Sequence, residues 1–202
     1  MSTTSIDHSG VKFPQLETCT VAVIGMGYVG LPLAVEFAKP RACARTGAQL
    51  HRRVIGFDID SSRLEDLRAG HDRTNETTPE ELRAAELLEF SSDSADLVRA
   101  DVFVVTVPTP IDSAKRPDLS PLKKASAELG LALKARLTQG VTNLPLIIYE
   151  STVYPGATEE VCVPILEYKS GLRLNEGFFC GYSPERINPG DYEHKLTKII
   201  KV

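Results

Sequence analysis

One stretch of the chain decides the fold: VAVIGMGYVGLPLAVEFAK, residues 21–39. It joins a short apolar strand to an apolar-faced helix through three glycines, Gly25, Gly27 and Gly30. In this arrangement the first glycine permits a tight turn, the second leaves the backbone open to a ligand, and the third lets the helix pack closely on the strand. The free N–H groups and the dipole of the helix then favour an anion. Because a glycine pattern alone is weak, the flanking strand and helix are what favour the pyrophosphate of a dinucleotide over a glycine-rich turn.

The composition is that of an ordinary globular domain. The chain has 202 residues, of which 42% are hydrophobic and 25% charged, enough for one α/β domain with a sizeable core. The formal net charge of −4 argues against a nucleic-acid partner held by general electrostatics. No apolar run approaches the roughly 18 residues of a membrane span, and the N-terminus lacks the apolar core of a signal peptide. We therefore expect neither nucleic acid nor a membrane as a partner.

The cysteines indicate a reduced protein rather than a metal site. Cys19, Cys43, Cys162 and Cys180 form no CxxC pair, and the histidines do not cluster with them. Two of the four fall in strand or helix patterns, where cysteine usually serves as a small buried hydrophobe. We expect a cytoplasmic location and no bound metal.

An acidic residue ends the second predicted strand, residues 53–57. Asp58 follows Gly30 by 28 residues, against the roughly 20 expected for the carboxylate that binds the adenosine ribose. The basic segment at residues 39–53 accounts for the excess. A carboxylate here accepts both ribose hydroxyl protons and repels a 2′-phosphate, which favours NAD over NADP. Asp60 is the rival, although strand alternation directs it elsewhere, and capping the next helix is the alternative role for Asp58.

Arg63 stands in the first turn of a helix predicted at residues 61–70, where the helix dipole disfavours a cation. A bound adenosine moiety nearby would explain this position. A salt bridge to Asp60 would explain it equally well.

Three further predicted strands end in segments rich in proline or polar residues. The strands at residues 101–107, 146–150 and 177–182 lead into PTPID, STVYPGATEE and SPERINPGD. Ligands of a doubly wound sheet lie beyond the carboxyl ends of its strands, so these segments should line the site. The Ser151 and Thr152 hydroxyls can orient a water, a nicotinamide or a substrate; their alternative role is helix capping, for which Thr158 is better placed. The expected cleft residues from these segments are Val107, Pro108, Thr109, Pro110, Ser151, Thr152, Glu185, Arg186 and Asn188.

Helical patterns separate the predicted strands along the chain. We expect helices at residues 28–39, 61–70, 94–99 and 119–137, one beginning at 79, and one ending near 169. This order predicts one doubly wound α/β domain with a mostly parallel sheet over residues 19–202, and residues 1–18 as a flexible arm. Residues 39–53 are interpreted as a loop or frayed helical extension, a surface insertion rather than a phosphate-contacting patch.

Five motifs in register resemble one enzyme family. GMGYVGLPLAVEFA, FDID followed by Arg63, TVPTPID, YESTVYPGATEE and GYSPERINPGD are similar, in this order, to the UDP-glucose/GDP-mannose dehydrogenases. The ESTVYPG and YSPERINPGD forms most resemble the branch that oxidises UDP-N-acetylhexosamines, such as UDP-N-acetylglucosamine and UDP-N-acetylgalactosamine. The resemblance covers nearly the whole chain from Thr20 onward and implies a Rossmann-like NAD-binding domain.

The resemblance also implies an activity and a role for each matching residue. Family members oxidise a sugar C6 alcohol to a carboxylate with two NAD⁺, through a thiohemiacetal and a thioester on a cysteine. Here Asp58 would bind the adenosine ribose, Arg63 the adenosine side, Thr152 the catalytic water, and Glu185 would be a general base or position that water. The pyrophosphate would lie against Gly25, Met26, Gly27, Tyr28, Val29 and Gly30. The nicotinamide half would lie against Thr106, Val107, Pro108, Thr109, Pro110 and Ser151. The sugar nucleotide would contact Arg186, Ile187, Asn188 and Pro189.

The chain also departs from the family pattern. Pro189 stands where the UDP-glucose branch carries a second glutamate, and the family's later GGxCxxKD-type segment with the nucleophilic cysteine does not occur. We therefore expect an N-terminal domain that binds NAD, contributes to surface polysaccharide synthesis in a homodimeric enzyme, and does not complete the four-electron oxidation by itself. The competing hypotheses are a UDP-glucose or GDP-mannose dehydrogenase domain, and a non-catalytic NAD-binding module.

Overall fold

Six parallel strands form the central sheet, in the order β5-β4-β1-β6-β7-β8. The computed structural model describes residues 13–111 and 116–185. The strands of this sheet are β1 (Val21–Ile24), β4 (Val54–Phe57), β5 (Leu88–Ser91), β6 (Val102–Val105), β7 (Leu146–Tyr149) and β8 (Phe179–Tyr182). A separate antiparallel pair consists of β2 (Arg41–Ala42) and β3 (Gln49–Leu50). The expected parallel α/β sheet is confirmed.

Helices cover both faces of the sheet. They are α1 (Gly30–Ala38), α2 (Ser61–Arg68), α3 (Pro79–Ala84), α4 (Ser120–Thr138) and α5 (Val163–Ser170), with a 3₁₀ segment at Ser94–Arg99 and a π segment at Thr158–Cys162. Successive β1 residues point to opposite faces: Val21 and Val23 pack with α1 and α2, whereas Ala22 and Ile24 pack with α4 and α5. This two-sided burial explains why the strands read as continuous apolar runs.

The strand order creates a crevice at one edge of the sheet. From β1 the chain moves outward through β4 to β5, and then returns to β6 on the other side of β1. Ligands of doubly wound sheets bind where the order reverses, beyond the carboxyl ends of the strands. The turn after β1 and the loops after β4, β6 and β7 therefore meet at this place.

Two local predictions differ from the structure. Residues 39–53 are neither a plain loop nor a helical extension, because β2 and β3 form a hairpin there. Gly47, with a φ of 72°, closes its turn, and Cys43 exchanges backbone hydrogen bonds with Gly47 and Ala48. Thr158 is not a helix cap; it lies inside the π segment, whose start carries no side-chain cap. The polar and short side chains of the hairpin show no clear period, so the sequence pattern did not predict it.

Residues 13–18, which belong to the expected arm, make specific contacts in the structure. The Phe13 ring stacks on Phe179 of β8 with 5.1 Å between ring centroids. The Glu17 carbonyl accepts a hydrogen bond of 2.9 Å from the His51 N–H. Residues 1–12 lie outside the described part of the chain. Among the described helices, none combines the length and apolar character needed to cross a membrane.

Candidate dinucleotide-binding site

The turn between β1 and α1 has the shape that its glycines predict. Gly25 has a φ of 99°, a backbone conformation that residues with a side chain rarely adopt. A Cβ on Gly30 would overlap the Gly25 carbonyl oxygen and Thr106 Oγ1, whereas a Cβ on Gly27 would meet nothing within 4 Å. The turn is therefore closed on the side of the sheet and open on the side of the solvent.

The N-terminus of α1 is free to bind an anion. Its N-cap is Val29, and no side chain in the described part of the chain caps the first turn. The uncapped N–H groups and the positive end of the helix dipole form a site that fits a pyrophosphate. Gly27 and Tyr28, both exposed, lie directly in front of it.

Thr106, one residue beyond β6, fixes the turn to the sheet. It is buried, and its hydroxyl contacts the carbonyl oxygens of Ile24 and Gly25 at 2.9 Å each. A single O–H proton thus serves two acceptors at the base of the glycine turn. Thr106 holds the cradle in place rather than presenting its hydroxyl to a ligand.

Asp58 lies at the carboxyl end of β4 with its carboxylate held on both sides. Its Oδ2 accepts a 2.7 Å hydrogen bond from the Met26 N–H, and its Oδ1 a 2.9 Å bond from the Asp60 N–H. Each carboxylate oxygen keeps a further lone pair for a ribose hydroxyl. Asp60, not Asp58, caps α2, because its Oδ1 accepts the Arg63 N–H at 3.1 Å. The structure thus assigns helix capping to Asp60, so it gives no support to the alternative role of Asp58.

Arg63 is buried behind the glycine turn. Its Nη2 forms an ion pair of 2.6 Å with Asp72, and its Nε donates to the Met26 carbonyl oxygen at 2.9 Å. The ion pair is with Asp72, not with Asp60, which was the partner in one of the two explanations for the position of Arg63. Arg63 does not line the cleft, and its Nη1 is buried without a hydrogen-bond partner among the described residues.

A cleft of about 650 Å³ opens at this edge of the sheet, a volume typical of small-molecule sites. The structure brings most of the predicted site residues into its wall: Gly25, Gly27, Tyr28, Val29, Asp58, Thr106, Val107, Pro108, Thr109, Ser151, Thr152 and Glu185. Met26, Gly30 and Pro110 are not in the wall, although Met26 and Gly30 shape the turn that is. Arg186, Ile187, Asn188 and Pro189 lie outside the described residues.

Hydrogen bonds connect the two loops at the far end of the cleft. The buried Ser151 hydroxyl donates to the Val107 carbonyl oxygen at 3.0 Å, and the Thr109 hydroxyl donates to the Thr152 carbonyl oxygen at 2.7 Å. The loops after β6 and β7 therefore form one surface. The Thr152 side chain remains exposed on it, and Glu185, three residues beyond β8, reaches the same cleft.

Several cleft residues were not predicted from the sequence. On α4, a helical stripe at spacings of three and four lines the wall: Pro121, Lys124, Ala125 and Glu128. Ile59, Leu97 and the buried Glu150 also line the cleft. The sequence feature that could have indicated these α4 residues is their position, because α4 begins just after the loop that follows β6. The signal for Glu150 is a carboxylate at the end of an apolar strand.

The cleft wall carries more negative than positive charge. Among the described residues that line it, the acidic ones are Asp58, Asp118, Glu128, Glu150 and Glu185, and the basic one is Lys124. A pyrophosphate here must therefore be held mainly by backbone N–H groups and the α1 dipole. The same charges oppose an additional phosphate beside Asp58.

The fold and the cleft define a dinucleotide-binding domain of the doubly wound class. An open helix N-terminus, a glycine that leaves room for a pyrophosphate, and a fixed carboxylate at the ribose position together fit NAD. The chain belongs to the UDP-glucose/GDP-mannose dehydrogenase family, whose NAD-binding domain matches residues 19–202. The NAD cofactor and the family predicted from the five motifs are thereby confirmed.

Curated relatives agree with this assignment. The chain is 55% identical over 182 residues to the UDP-N-acetyl-D-glucosamine 6-dehydrogenase of Pseudomonas aeruginosa, which covers 90% of the chain and 39% of the relative. It is 47% identical over 187 residues to the enzyme of the same name from Salmonella typhi, covering 93% of the chain and 40% of the relative. The chain therefore spans about two fifths of the length of these relatives.

Solved structures agree as well. The UDP-glucose dehydrogenase of Pyrobaculum islandicum superposes with a TM-score of 0.71 at 27% identity, over 90% of this chain and 39% of that one. The NDP-N-acetyl-D-galactosaminuronic acid dehydrogenase of Methanosarcina mazei superposes with a TM-score of 0.72 at 28% identity, over 89% of this chain and 36% of that one.

Proposed function

We propose that this chain is the NAD⁺-binding portion of a UDP-N-acetylhexosamine 6-dehydrogenase, which oxidises the sugar C6 alcohol to a carboxylate with two NAD⁺. The observation that carries the proposal is that Thr152 and Glu185 line the same cleft as Asp58 and the glycine turn. A hydroxyl and a carboxylate at the end of the cleft opposite the ribose site are what alcohol oxidation needs beside a nicotinamide. The names of the two curated relatives support the choice of an N-acetylated sugar.

Different segments of this chain bind different parts of NAD⁺. The turn after β1 and the N-terminus of α1 hold the pyrophosphate, Asp58 accepts the ribose hydroxyls, and the linked loops after β6 and β7 support the nicotinamide half. Bound NAD⁺ supplies the hydride acceptor. Arg63 as an adenosine-side contact belongs to the same proposal, but its side chain is buried behind the turn and does not line the cleft, so this contact requires the side chain to move.

Oxidation at C6 also requires that a proton leave the sugar hydroxyl. We assign this step to Glu185, either by direct acceptance or through a water that the Thr152 hydroxyl orients. After the second hydride transfer, a water oriented by Thr152 would attack the acyl carbon of the thioester that the family resemblance implies. The bond to the cysteine sulfur would break, the thiolate would leave, and the sugar carboxylate would form. Arg186, Ile187, Asn188 and Pro189 follow Glu185 directly, so they are the proposed contacts for the sugar nucleotide.

The test is an NADH absorbance assay on the natural protein that contains this chain. The substrates to compare are UDP-N-acetylglucosamine, UDP-N-acetylgalactosamine, UDP-N-acetylmannosamine, UDP-glucose and GDP-mannose. We expect turnover with an N-acetylated UDP-sugar and a stoichiometry of two NADH per sugar. Preference for UDP-glucose or GDP-mannose would move the protein to another branch of the family, and NAD⁺ binding without turnover on any of them would indicate a binding module.

Substitution of the proposed base sharpens this test. Glu185→Gln should lower kcat by roughly 10²- to 10⁴-fold, because a general base is lost while the shape is kept. The affinity for NAD⁺ should change little. Glu176→Gln is the matched control, since Glu176 is exposed and precedes β8, at the opposite edge of the sheet from the cleft. Equal kcat values for the two variants would remove Glu185 from the mechanism.

Location and partners complete the proposal. We infer a cytoplasmic enzyme of surface polysaccharide synthesis that acts as a homodimer, without nucleic-acid or membrane partners. The described cysteines Cys19, Cys43, Cys162 and Cys180 are all free thiols, which supports a reducing compartment. Fractionation of cells and light scattering of the natural protein test location and oligomeric state.

A further inference from the structure

The loop between α2 and α3 is organised around one buried carboxylate. The Asp72 side chain is 1% exposed. Its Oδ1 accepts hydrogen bonds from the Thr74 N–H and hydroxyl, at 2.9 and 2.7 Å. Its Oδ2 accepts the N–H groups of Glu76 and Thr77, at 2.9 and 3.0 Å. These bonds fix the Asp72 carboxylate in one orientation.

Burial alone would raise the pKa of Asp72. Hydrogen bonds from the Thr74 side chain and backbone, and then the hydrogen bond and charge of Arg63, outweigh burial and lower the pKa below its ordinary value. The carboxylate therefore stays ionised at neutral pH and remains a full counter-charge for Arg63.

Arg63 connects this loop to the glycine turn. Its Nη2 contacts Asp72 Oδ1 at 2.6 Å, and its Nε donates to the Met26 carbonyl oxygen at 2.9 Å. The Arg63 side chain is 8% exposed. Because a buried guanidinium depends on its counter-charge, the direction of Arg63, and with it the bond to Met26, depends on Asp72.

Met26 passes the constraint on to the ribose site. Its carbonyl oxygen is held by Arg63, while its N–H donates to Asp58 Oδ2 at 2.7 Å. A continuous series of short contacts thus runs from Asp72 through Arg63 and Met26 to Asp58. It reaches both the pyrophosphate turn and the ribose carboxylate without any contact between Asp72 and the cleft.

We propose that Asp72 is a positioning residue for NAD⁺: acting through Arg63, it holds the Met26 backbone so that the glycine turn and Asp58 are set for the cofactor. The proposal rests on NAD⁺ binding in the cleft. It adds a residue from outside the cleft to the determinants of cofactor affinity.

The primary test compares Asp72→Asn with Asp101→Asn. Asp101 is the partner of another buried arginine: its Oδ1 contacts Arg136 Nη2 at 3.4 Å, at the amino end of β6, away from the cleft. Both substitutions should lower the melting temperature of the chain. Only Asp72→Asn should weaken NAD⁺ binding, by roughly tenfold in calorimetry, the effect of losing a coupled contact.

A double-mutant cycle separates positioning from general destabilisation. If Asp72 acts through Arg63, Asp72→Asn should cause no further loss of NAD⁺ affinity in an Arg63→Gln background. Thr74→Val keeps the side-chain shape but removes the hydroxyl that contacts Asp72 Oδ1 at 2.7 Å and Arg63 Nη2 at 3.4 Å, so it should give a loss between wild type and Asp72→Asn. This milder variant keeps the test decisive if Asp72→Asn fails to fold.

The outcomes are distinct. Wild-type chain that binds no NAD⁺ would refute binding in the cleft itself. Three results would overturn the positioning role alone. The first is wild-type NAD⁺ affinity in the folded Asp72 variant or in Thr74→Val. The others are equal losses of affinity in the Asp72 and Asp101 variants, or additive losses in the cycle.

Discussion

Two glycines of the turn after β1 serve different purposes. Gly30 has no room for a side chain, because a Cβ would overlap backbone and side-chain atoms of Gly25 and Thr106. Gly27 has open space where a Cβ would be. Gly30 is therefore required by the fold, whereas we expect Gly27 to be required by the ligand.

Alanine at each position should separate these requirements. Gly30→Ala should destabilise the chain by about 1–3 kcal/mol or more, since it forces overlap with backbone that cannot move aside. Gly27→Ala should leave stability within about 0.5 kcal/mol of wild type while lowering NAD⁺ affinity. Urea denaturation and calorimetric titration of both variants measure the two effects. Similar stability of the two variants would contradict this division.

Single residues were predictable where a motif fixes their surroundings. The glycines and Asp58 have a local geometry that the sequence itself encodes: Gly25, Gly27 and Asp58 line the cleft, and Gly30 packs against the turn. Their contacts with NAD remain a prediction. The partner of Arg63 was not predictable, because Asp72 lies in an irregular loop whose hydrogen bonds, not any periodic pattern, bring it into contact. The sequence left two explanations for the position of Arg63, a salt bridge to Asp60 and a bound adenosine moiety. The structure instead shows an ion pair with Asp72.

At the level of elements, the hairpin of β2 and β3 creates a local environment for Cys43. Its tight turn brings the Thr46 hydroxyl to the thiol, and this hydrogen bond, followed by those from the Thr46 and Arg45 backbone, lowers the pKa of Cys43. Burial raises the pKa of Cys19 and Cys162, and raises that of Cys180 to about 12. The four thiols should therefore differ in reactivity.

A thiol-modification experiment tests this arrangement of the elements. At pH 7.5 iodoacetamide should label Cys43 first, because the thiolate is the reactive form and only the pKa of Cys43 is lowered among the four. The other three should react only after unfolding. Cys43→Ser should remove the fast phase, and Thr46→Val should slow it. Mass spectrometry of the native chain that shows Cys180 or Cys162 labelled as fast as Cys43 would contradict the structure.

Elements with strong patterns were predictable and weakly patterned ones were not. The apolar runs that became β1, β4, β6 and β7 lie where the sequence placed them, with ends shorter by one or two residues. The β2–β3 hairpin was missed, because its polar residues alternate too weakly to distinguish strand from loop. The cleft stripe on α4 was missed for another reason: a sequence shows that a helix exists, but only the assembled sheet shows which of its faces borders the site.

At the level of the whole molecule, the reversal of strand order between β1 and β6 collects the functional loops at one edge of the sheet. The turn after β1 and the loops after β6 and β7 line one cleft, and we expect them to hold opposite ends of the cofactor. The wall is mainly acidic, with Lys124 as its basic member among the described residues, and we expect it to disfavour an additional phosphate. We therefore expect cofactor choice to depend on the assembled cleft rather than on the glycine motif alone.

The measurement that tests the central claim most directly is calorimetric titration of the chain with NAD⁺ and with NADP⁺. We predict that one NAD⁺ binds per chain, at least roughly tenfold more tightly than NADP⁺, because the 2′-phosphate would face the Asp58 carboxylate. Asp58→Asn should lower the ratio of NAD⁺ affinity to NADP⁺ affinity. Equal affinities of the wild-type chain for the two cofactors, or no binding of NAD⁺, would contradict the account.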